Sequence, residues 1–306
     1  MRAMKLAALL LALAAAPAVS QPAADPAGPV IRPELLTAVS PHVHVVPDEF
    51  RPVVPNVGFV VGTKAVLVVD PGLGRTNGDR AAAMAARLAP GRQIYVVGTH
   101  PHPEHDMGAL GFPATARMIR SDAAEADLAG IRRLAGVFAG RDPAMAAMLQ
   151  GADWRAADIL FSGEHVLDLG GVTARLIDLG PNHTAGDTAI WVPEDRVLFS
   201  GDVAMRHQPN PAAANASVDG WLRSQDRLEA LKPARVVPAH GPLGDGATYM
   251  QGYRAYFTEI RDRLRAARDR GLPAAAQVDA VAGEMAARYP DAGRLRSAIR
   301  LAQTGR

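Results

Sequence analysis

The chain has no cysteine among its 306 residues. Disulfides are therefore excluded in any compartment, and a bound metal would have to be held by nitrogen and oxygen alone. Aromatic side chains make up only 5%, which argues against a stacking wall for nucleic acid. A membrane-spanning run is missing too: the apolar stretch Leu6 to Ala16 is well short of the roughly 20 residues that a span requires. Nor is there an excess of one charge, since the formal balance is +2.

That short apolar stretch reads instead as an export signal. Arg2 and Lys5 precede it, and Ala18-Val19-Ser20 follows with small residues before Gln21, a pattern suited to cleavage. Removing residues 1–20 takes away those two cations and no carboxylate, so the balance falls from +2 to zero. The pI of about 9.1 is then no argument for a polyanionic partner. The expectation is an exported, periplasmic protein with no stable membrane insertion after cleavage. A Pro/Ala-rich flexible leader over 21–33 would lead into a single domain over 34–306.

Hydrophobic residues at 48% and charged residues at 21% suit a globular domain. His42 to Val46 alternates like a strand. Phe59 to Val69 reads as a hairpin turning at Gly62-Thr63-Lys64 and ending in Asp70-Pro71-Gly72. A helix is expected over 76–90 and a strand over 93–98. A short strand over 117–120 precedes a helical insertion over 121–150 capped by Ser121. Met145, Met148 and Leu149 in that insertion fit core packing. Strands follow at 159–161, 165–169, 172–179, 188–192 and 196–200. A helix over 218–231 is capped by Ser217, and Arg235-Val236-Val237 forms a short buried strand. Residues 246–303 read as three helices broken near Gly271-Leu272-Pro273 and Tyr289-Pro290. Strands first and a helix later, in each half, predict an α/β sandwich of two sheets with helices outside.

The chemistry concentrates after strand 93–98, in Thr99-His100-Pro101-His102-Pro103-Glu104-His105-Asp106. Nothing apolar is left there to bury, and several ionisable groups need partners at once. Metal ions answer that need, because neutral imidazole and carboxylate are natural ligands for them. Three further segments end a strand on a candidate ligand: His183 after Leu179, Asp202 after Ser200, and His240 after Val237. These can converge only if the strand ends share one edge of the sandwich. His42, His44 and His165 fall inside strand patterns and read as structural. Asn182 and His207 read as polar loop residues, and Asp106 as the cap of a following short helix.

In order and context these motifs resemble those of the metallo-β-lactamase fold superfamily, whose signature is HxHxDH followed by a later His, Asp and His. The resemblance runs over about residues 40–245 and implies a four-layer αββα sandwich. It further implies one ion on His100, His102 and His183, and a second on His105, Asp202 and His240, with Asp202 bridging. Asp70 resembles the superfamily's strand-end Asp and would orient a ligand. The chain departs from the pattern at Glu104, where the usual residue is Asp. Glu104 is expected as a further ligand of the second ion; a general base, or a weakened second site, are its other readings.

The implied activity is a metal-dependent hydrolase, probing an ester, thioester, lactone or β-lactam carbonyl with metal-activated hydroxide. Zinc, two ions per chain, is the expected cofactor, with iron or manganese as alternatives. The lack of cysteine excludes the lactamase subgroup that uses one as a ligand. A mononuclear iron sulfur dioxygenase and a non-catalytic metal-binding protein are the competing readings. A small-molecule substrate is expected; a nucleic-acid partner is not, since the mature chain is neutral. Nothing in the pattern specifies an oligomer.

Overall fold

A computed structural model describes residues 28–304 apart from 142, 206, 207, 212 and 214. The expected signal over 1–20, the leader up to residue 27 and His207 lie outside the described residues.

The expected hairpin forms from β3 (Val57–Val61) and β4 (Ala65–Val69), with Gly58 opposite Val69. All five residues of β4 are buried. Ala65, Leu67 and Val69 face one apolar core, while Val66 and Val68 face another. A strand covered on both faces needs apolar residues at every position, which explains its unbroken Ala-Val-Leu-Val-Val.

This strand is central to a sheet ordered β1 (Thr37–Ala38), β2 (Val43–Val46), β3, β4, β5 (Gln93–Val97), β6 (Arg117–Ser121), β7 (Ile159–Phe161). Its first four strands pair antiparallel through short connections, and β4 to β7 run parallel. Parallel neighbours require a crossover. The first is α1 (Gly74–Leu88); the second carries α2 (Pro103–Asp106) and a 3-10 turn at Met107–Gly111.

The second sheet comprises β8 (Glu164–Asp168), β9 (Thr173–Gly180), β10 (Asp187–Val192), β11 (Val197–Gly201), β12 (Arg235–Pro238) and β13 (Gly244–Asp245), neighbours in that order. Along β10, Ile190 and Val192 enter the core between the sheets. Ala189 and Trp191 enter the core beneath helices α5 (Val218–Ala230), α6 (Gly246–Asp269), α7 (Ala274–Met285) and α8 (Ala292–Gln303). With α1 packed on the outer face of the first sheet, the layers run αββα, as expected.

Ser121 and Ser217 cap their helices, accepting from the backbone N–H of Ala124 at 3.2 Å and Gly220 at 2.9 Å. The insertion is two helices, α3 (Asp122–Ala139) and α4 (Pro143–Leu149). Met145, Met148 and Leu149 join Leu73, Met107 and Trp154 in a small core, so they pack as expected. The two-residue strands β1 and β13, too short for any periodicity, went unforeseen. No described helix is long and apolar enough to cross a membrane.

One expectation needs correction here. The sequence predicts a loose leader through residue 33, yet Val30 and Ile31 are buried. Ile31 N–H donates to Asn77 Oδ1 at 2.9 Å, and Asn77 Nδ2 donates back to the Pro29 carbonyl at 2.9 Å. The apolar Val-Ile pair, hidden in a Pro/Ala-rich context, gains burial against α1 and adjoining loops.

Two contacts bring the strand ends to a common level. Thr188 N–H donates to the Thr99 carbonyl across the sheets at 2.7 Å, and Ala239 N–H to the Gly201 carbonyl at 3.0 Å. Helix α1 also sits directly on the 3-10 turn. A Cβ on Gly78 would come within 1.8 Å of the Gly108 carbonyl oxygen, so only glycine permits that approach.

Candidate metal centre

Each candidate side chain is aimed by a specific neighbour. Asp70 ends β4 with φ of 54°, a conformation that Asp tolerates better than most residues. Its carboxylate accepts from Thr99 N–H at 2.7 Å and Thr99 Oγ1 at 3.1 Å. Its Oδ2 also lies 3.1 Å from His105 Nδ1. The ring nitrogen has no partner in aligned hydrogen-bond geometry, and the contact is ionic only when the ring is protonated.

Thr99 Oγ1 spends its proton on Asp70, so the 3.1 Å contact with His100 Nδ1 leaves the ring as donor. His183 Nδ1 donates to the Asn210 carbonyl at 2.6 Å, and His240 Nδ1 to the Val54 carbonyl at 2.9 Å. Carbonyls only accept, so they assign the ring protons. In His100, His183 and His240 the Nε2 atom is thereby left as a bare lone pair.

The turn that carries His183 is built by Asp187. Its carboxylate collects the N–H groups of Asn182 at 3.2 Å, His183 at 2.7 Å and Thr184 at 3.0 Å, plus Thr184 Oγ1 at 2.7 Å. Burial pushes Asp187 up to about 6, against the pull of His183 and these donors. After Asp202, the Val203 carbonyl accepts from Trp221 Nε1 at 3.0 Å and Gln225 Nε2 at 2.8 Å, so α5 anchors that loop. The His240 turn is held by Asn56, whose Nδ2 donates to the Pro238 and Gly241 carbonyls at 2.8 Å.

The aimed groups meet at the shared edge. His183 Nε2 lies 3.2 Å from His102 Nδ1, and His240 Nε2 lies 3.2 Å from His105 Nε2. Asp202 Oδ2 is 3.3 Å from His183 Nε2, and Glu104 Oε1 is 3.8 Å from His105 Nε2. Three groups have ligand atoms all within 4.8 Å of one another: His100, His102 and His183; His100, His105 and Asp202; Glu104, His105 and His240.

Electrostatics follow from this crowding. Burial, then the neighbouring imidazoles, push His100 and His102 well below the usual histidine value, which keeps their lone pairs free. Burial also opposes charge on His105, but Asp70, Glu104 and Asp202 outweigh it and push that ring up to about 9. Burial acts against ionised Asp202 as well; His183, His240, His105 and His102 overcome it and hold the carboxyl at about 2.

What decides the chemistry is the set of atoms left over. His100 Nε2, Glu104 Oε2 and Asp202 Oδ1 are buried with no hydrogen-bond partner. Buried polar atoms are normally satisfied, and all three are acceptors when the imidazole is in its assigned tautomer. Cations held within the three clusters would satisfy these atoms, and nitrogen with carboxylate oxygen is a donor set that divalent metals accept. The residues present therefore fit a metal ion.

A family model described as the metallo-beta-lactamase superfamily matches residues 50–240, the part that holds every one of these groups. The chain belongs to the metallo-beta-lactamase superfamily. Hydroxyacylglutathione hydrolase from Methylococcus capsulatus is 27% identical over 232 residues, which are 75% of this chain and 78% of that enzyme. The metallo-beta-lactamase type 2 of Bacteroides fragilis is 27% identical over 88 residues, 28% of this chain and 35% of that protein. The beta-lactamase-like protein 2 homolog of Caenorhabditis elegans is 32% identical over 75 residues, so the match spans 24% of either chain. Among solved structures, the stereoselective inverting sec-alkylsulfatase from Pseudomonas sp. superposes with a TM-score of 0.67 at 18% identity, over 88% of this chain and 50% of that one. A metallo-beta-lactamase from Pontibacter korlensis gives 0.55 at 18% identity, over 73% and 98%. These two likenesses show the shared fold.

Within this superfamily fold, two sequence expectations are corrected. Asp106 caps nothing: it is buried and accepts from Arg120 Nη2 at 2.7 Å and Nε at 3.1 Å. Arg120 also reaches Glu125 and the Arg155 carbonyl, which ties α2 to β6. Asn182 is no surface residue. It is fully buried, donates to the Leu179 carbonyl at 3.3 Å and accepts from Ser224 Oγ at 3.2 Å. Among the strand histidines, His42 pairs with Asp195 at 2.9 Å, away from the centre.

Other participants were missed from the sequence. The Asn210 and Val54 carbonyls carry no side-chain signal. Arg120 did leave one, as a cation directly after the apolar pair Met118-Ile119 in a strand. Tyr253 and Tyr256 of α6 border the same cavity of about 1030 Å³ as His102, Glu104, His183, Asp202 and His240. They come from a helix with no motif of its own.

Proposed function

We propose that this protein is an exported metal-dependent hydrolase that cleaves a carbonyl substrate: an ester, thioester, lactone or β-lactam. Three buried acceptors that no protein donor satisfies, His100 Nε2, Glu104 Oε2 and Asp202 Oδ1, carry the reading. Superfamily membership supports it, since relatives such as hydroxyacylglutathione hydrolase are hydrolases. The acyl–glutathione substrate named for that relative puts thioesters first in a screen.

His100, His102 and His183 would hold one ion, and His105, His240 and Glu104 the second, with Asp202 shared. The juxtapositions in space support this division. Placing Glu104 with His105 and His240 favours the ligand role over the general base. Zinc is the proposed metal; when bound it supplies a water acidic enough to ionise near pH 7. The chain's own residues do the rest. Asp70 holds His105 in aim. Tyr253 is buried, and burial followed by the nearby Asp202 carboxylate keeps its phenol protonated, so it offers the cavity a hydrogen-bond donor. Phe138 and Leu134 from α3, with Met205, give the cavity an apolar side suited to an acyl or ring substituent.

The test is metal content per chain, with turnover of a thioester, lactone and lactam panel, on protein lacking residues 1–20. Two zinc ions and hydrolysis are expected. One iron would move the reading to sulfur oxidation, and no tightly bound metal would overturn it. Export is tested separately by the N-terminus of protein recovered from the periplasm, expected at Gln21; an intact Met1 would refute cleavage.

A further inference from the structure

The family-matched residues end at 240, yet one metal-facing imidazole is held from beyond them. His183 owes its tautomer to the Asn210 carbonyl. Two residues before Asn210, the Gln208 side chain is engaged twice by one residue at the entrance to α8. Gln208 Nε2 donates to the Asp291 carbonyl at 3.1 Å, and Asp291 N–H donates to Gln208 Oε1 at 2.6 Å. The amide side chain thus pairs with the backbone as a neighbouring strand would. Arg294, in the first turn of α8, adds a third tie by donating from Nη1 to the Gln208 carbonyl at 2.9 Å. Asp291 itself is locked in place, because its Oδ1 caps α8 by accepting from Arg294 N–H at 3.0 Å.

We propose that Gln208 is a positioning residue through which α8 sets the aim of His183 toward the metal. This rests on the metal-site reading above. The reasoning is local. A carbonyl in a loop orients an imidazole only as well as the loop is fixed, and histidine ligands depend on the acceptor behind them. Gln208 and Asn210 border the same cavity as His183 and Asp202, and Asp291 and Arg294 tie Gln208 in place. Removing the amide frees Asn210 to move and leaves His183 able to rotate or change tautomer. Loss of such an orienting partner typically lowers metal affinity about 10–100-fold.

The experiment is zinc and cobalt titration of the full-length apoprotein against a competing chelator, for wild type, Gln208→Ala, Gln208→Glu and Arg294→Ala. Thermal melts of each run alongside. For Gln208→Ala, one of the bound equivalents is expected to weaken by about 10–100-fold, with a changed cobalt absorption spectrum and a melting curve close to wild type. Gln208→Glu keeps the acceptor for Asp291 N–H but sets a carboxylate oxygen against the Asp291 carbonyl, so its affinity should lie between those of Gln208→Ala and wild type. Arg294→Ala should show a smaller loss in the same equivalent. Unchanged zinc affinity and cobalt spectrum in Gln208→Ala would overturn the proposal while leaving the metal site intact. Should Gln208→Ala fail to fold, unchanged affinity in Arg294→Ala would overturn it. Wild-type protein that binds neither metal would overturn both this and the reading beneath it.

Discussion

Replacing Arg120 by methionine tests how the ligand-bearing turn is braced. Arg120 and Asp106 side chains are each 1% exposed, and their pairing uses both carboxylate oxygens. Methionine preserves most of the volume and removes the charge, leaving Asp106 buried opposite nothing. Breaking a buried pair from one side costs about 3–5 kcal/mol. A second route gives the same scale. Asp106 can escape by taking up a proton, and doing so at pH 7 from an unfolded value near 3.9 costs about 4 kcal/mol at roughly 1.4 per unit. That protonation caps the loss. Even with Arg120 present, burial holds Asp106 above its ordinary value, so the variant will stand higher still. Between the unfolded and folded pKa values the folded chain then keeps a proton that the unfolded chain has released. Stability therefore falls as pH rises through that window and recovers as pH drops. Urea unfolding of metal-free protein should show a deficit of about 4 kcal/mol at pH 7 that shrinks to about 1–2 near pH 4. Adding Asp106→Leu should recover most of it, since an apolar pair can replace a buried ion pair. A deficit below about 1 kcal/mol at pH 7, or one that ignores pH, would refute the brace.

Three further outcomes are expected. His102→Ala or Asp202→Ala should reduce turnover to below about 1% and lower metal per chain, because each removes a donor from a crowded set; normal activity in either would sink the site assignment. Asp70→Asn should weaken metal binding by about 10–100-fold with the fold retained, as read by chelator competition, and wild-type affinity would reject the role given to Asp70. Asp195 clasps the first hairpin by accepting from Ser40 Oγ at 2.5 Å and His42 N–H at 2.8 Å; burial opposes its charge, but these donors hold it below the usual value. Asp195→Asn should then cost about 1.5–3 kcal/mol near neutral pH. That gap should close as pH falls through the folded pKa, and a gap that widens in acid would contradict it.

Much of the fold was legible because its signals are local. The β3–β4 hairpin, Ser121 and Ser217 as caps, and the helix breaks at Gly271 and Pro290 each depend on a few adjacent residues. The strands β1 and β13 pair with near neighbours in the chain, β2 and β12, but at two residues each they are too short to leave a periodicity. The misread polar residues depend instead on partners from other elements. Asp106 resembles a cap by position, and only the arrival of Arg120 from β6 makes it an ion pair. Asn182 resembles loop polarity, and only Ser224 from α5 turns it into a buried linker.

The sequence by itself determined which atoms could bind a metal, since a cysteine-free chain with histidines and carboxylates at four strand ends leaves only nitrogen and oxygen donors. Tertiary structure decided which of them meet and how they are aimed. Convergence depends on two sheets sharing an edge, joined at Thr99 and Thr188. Aim depends on backbone carbonyls of Val54 and Asn210, which every residue possesses and no sequence pattern can single out.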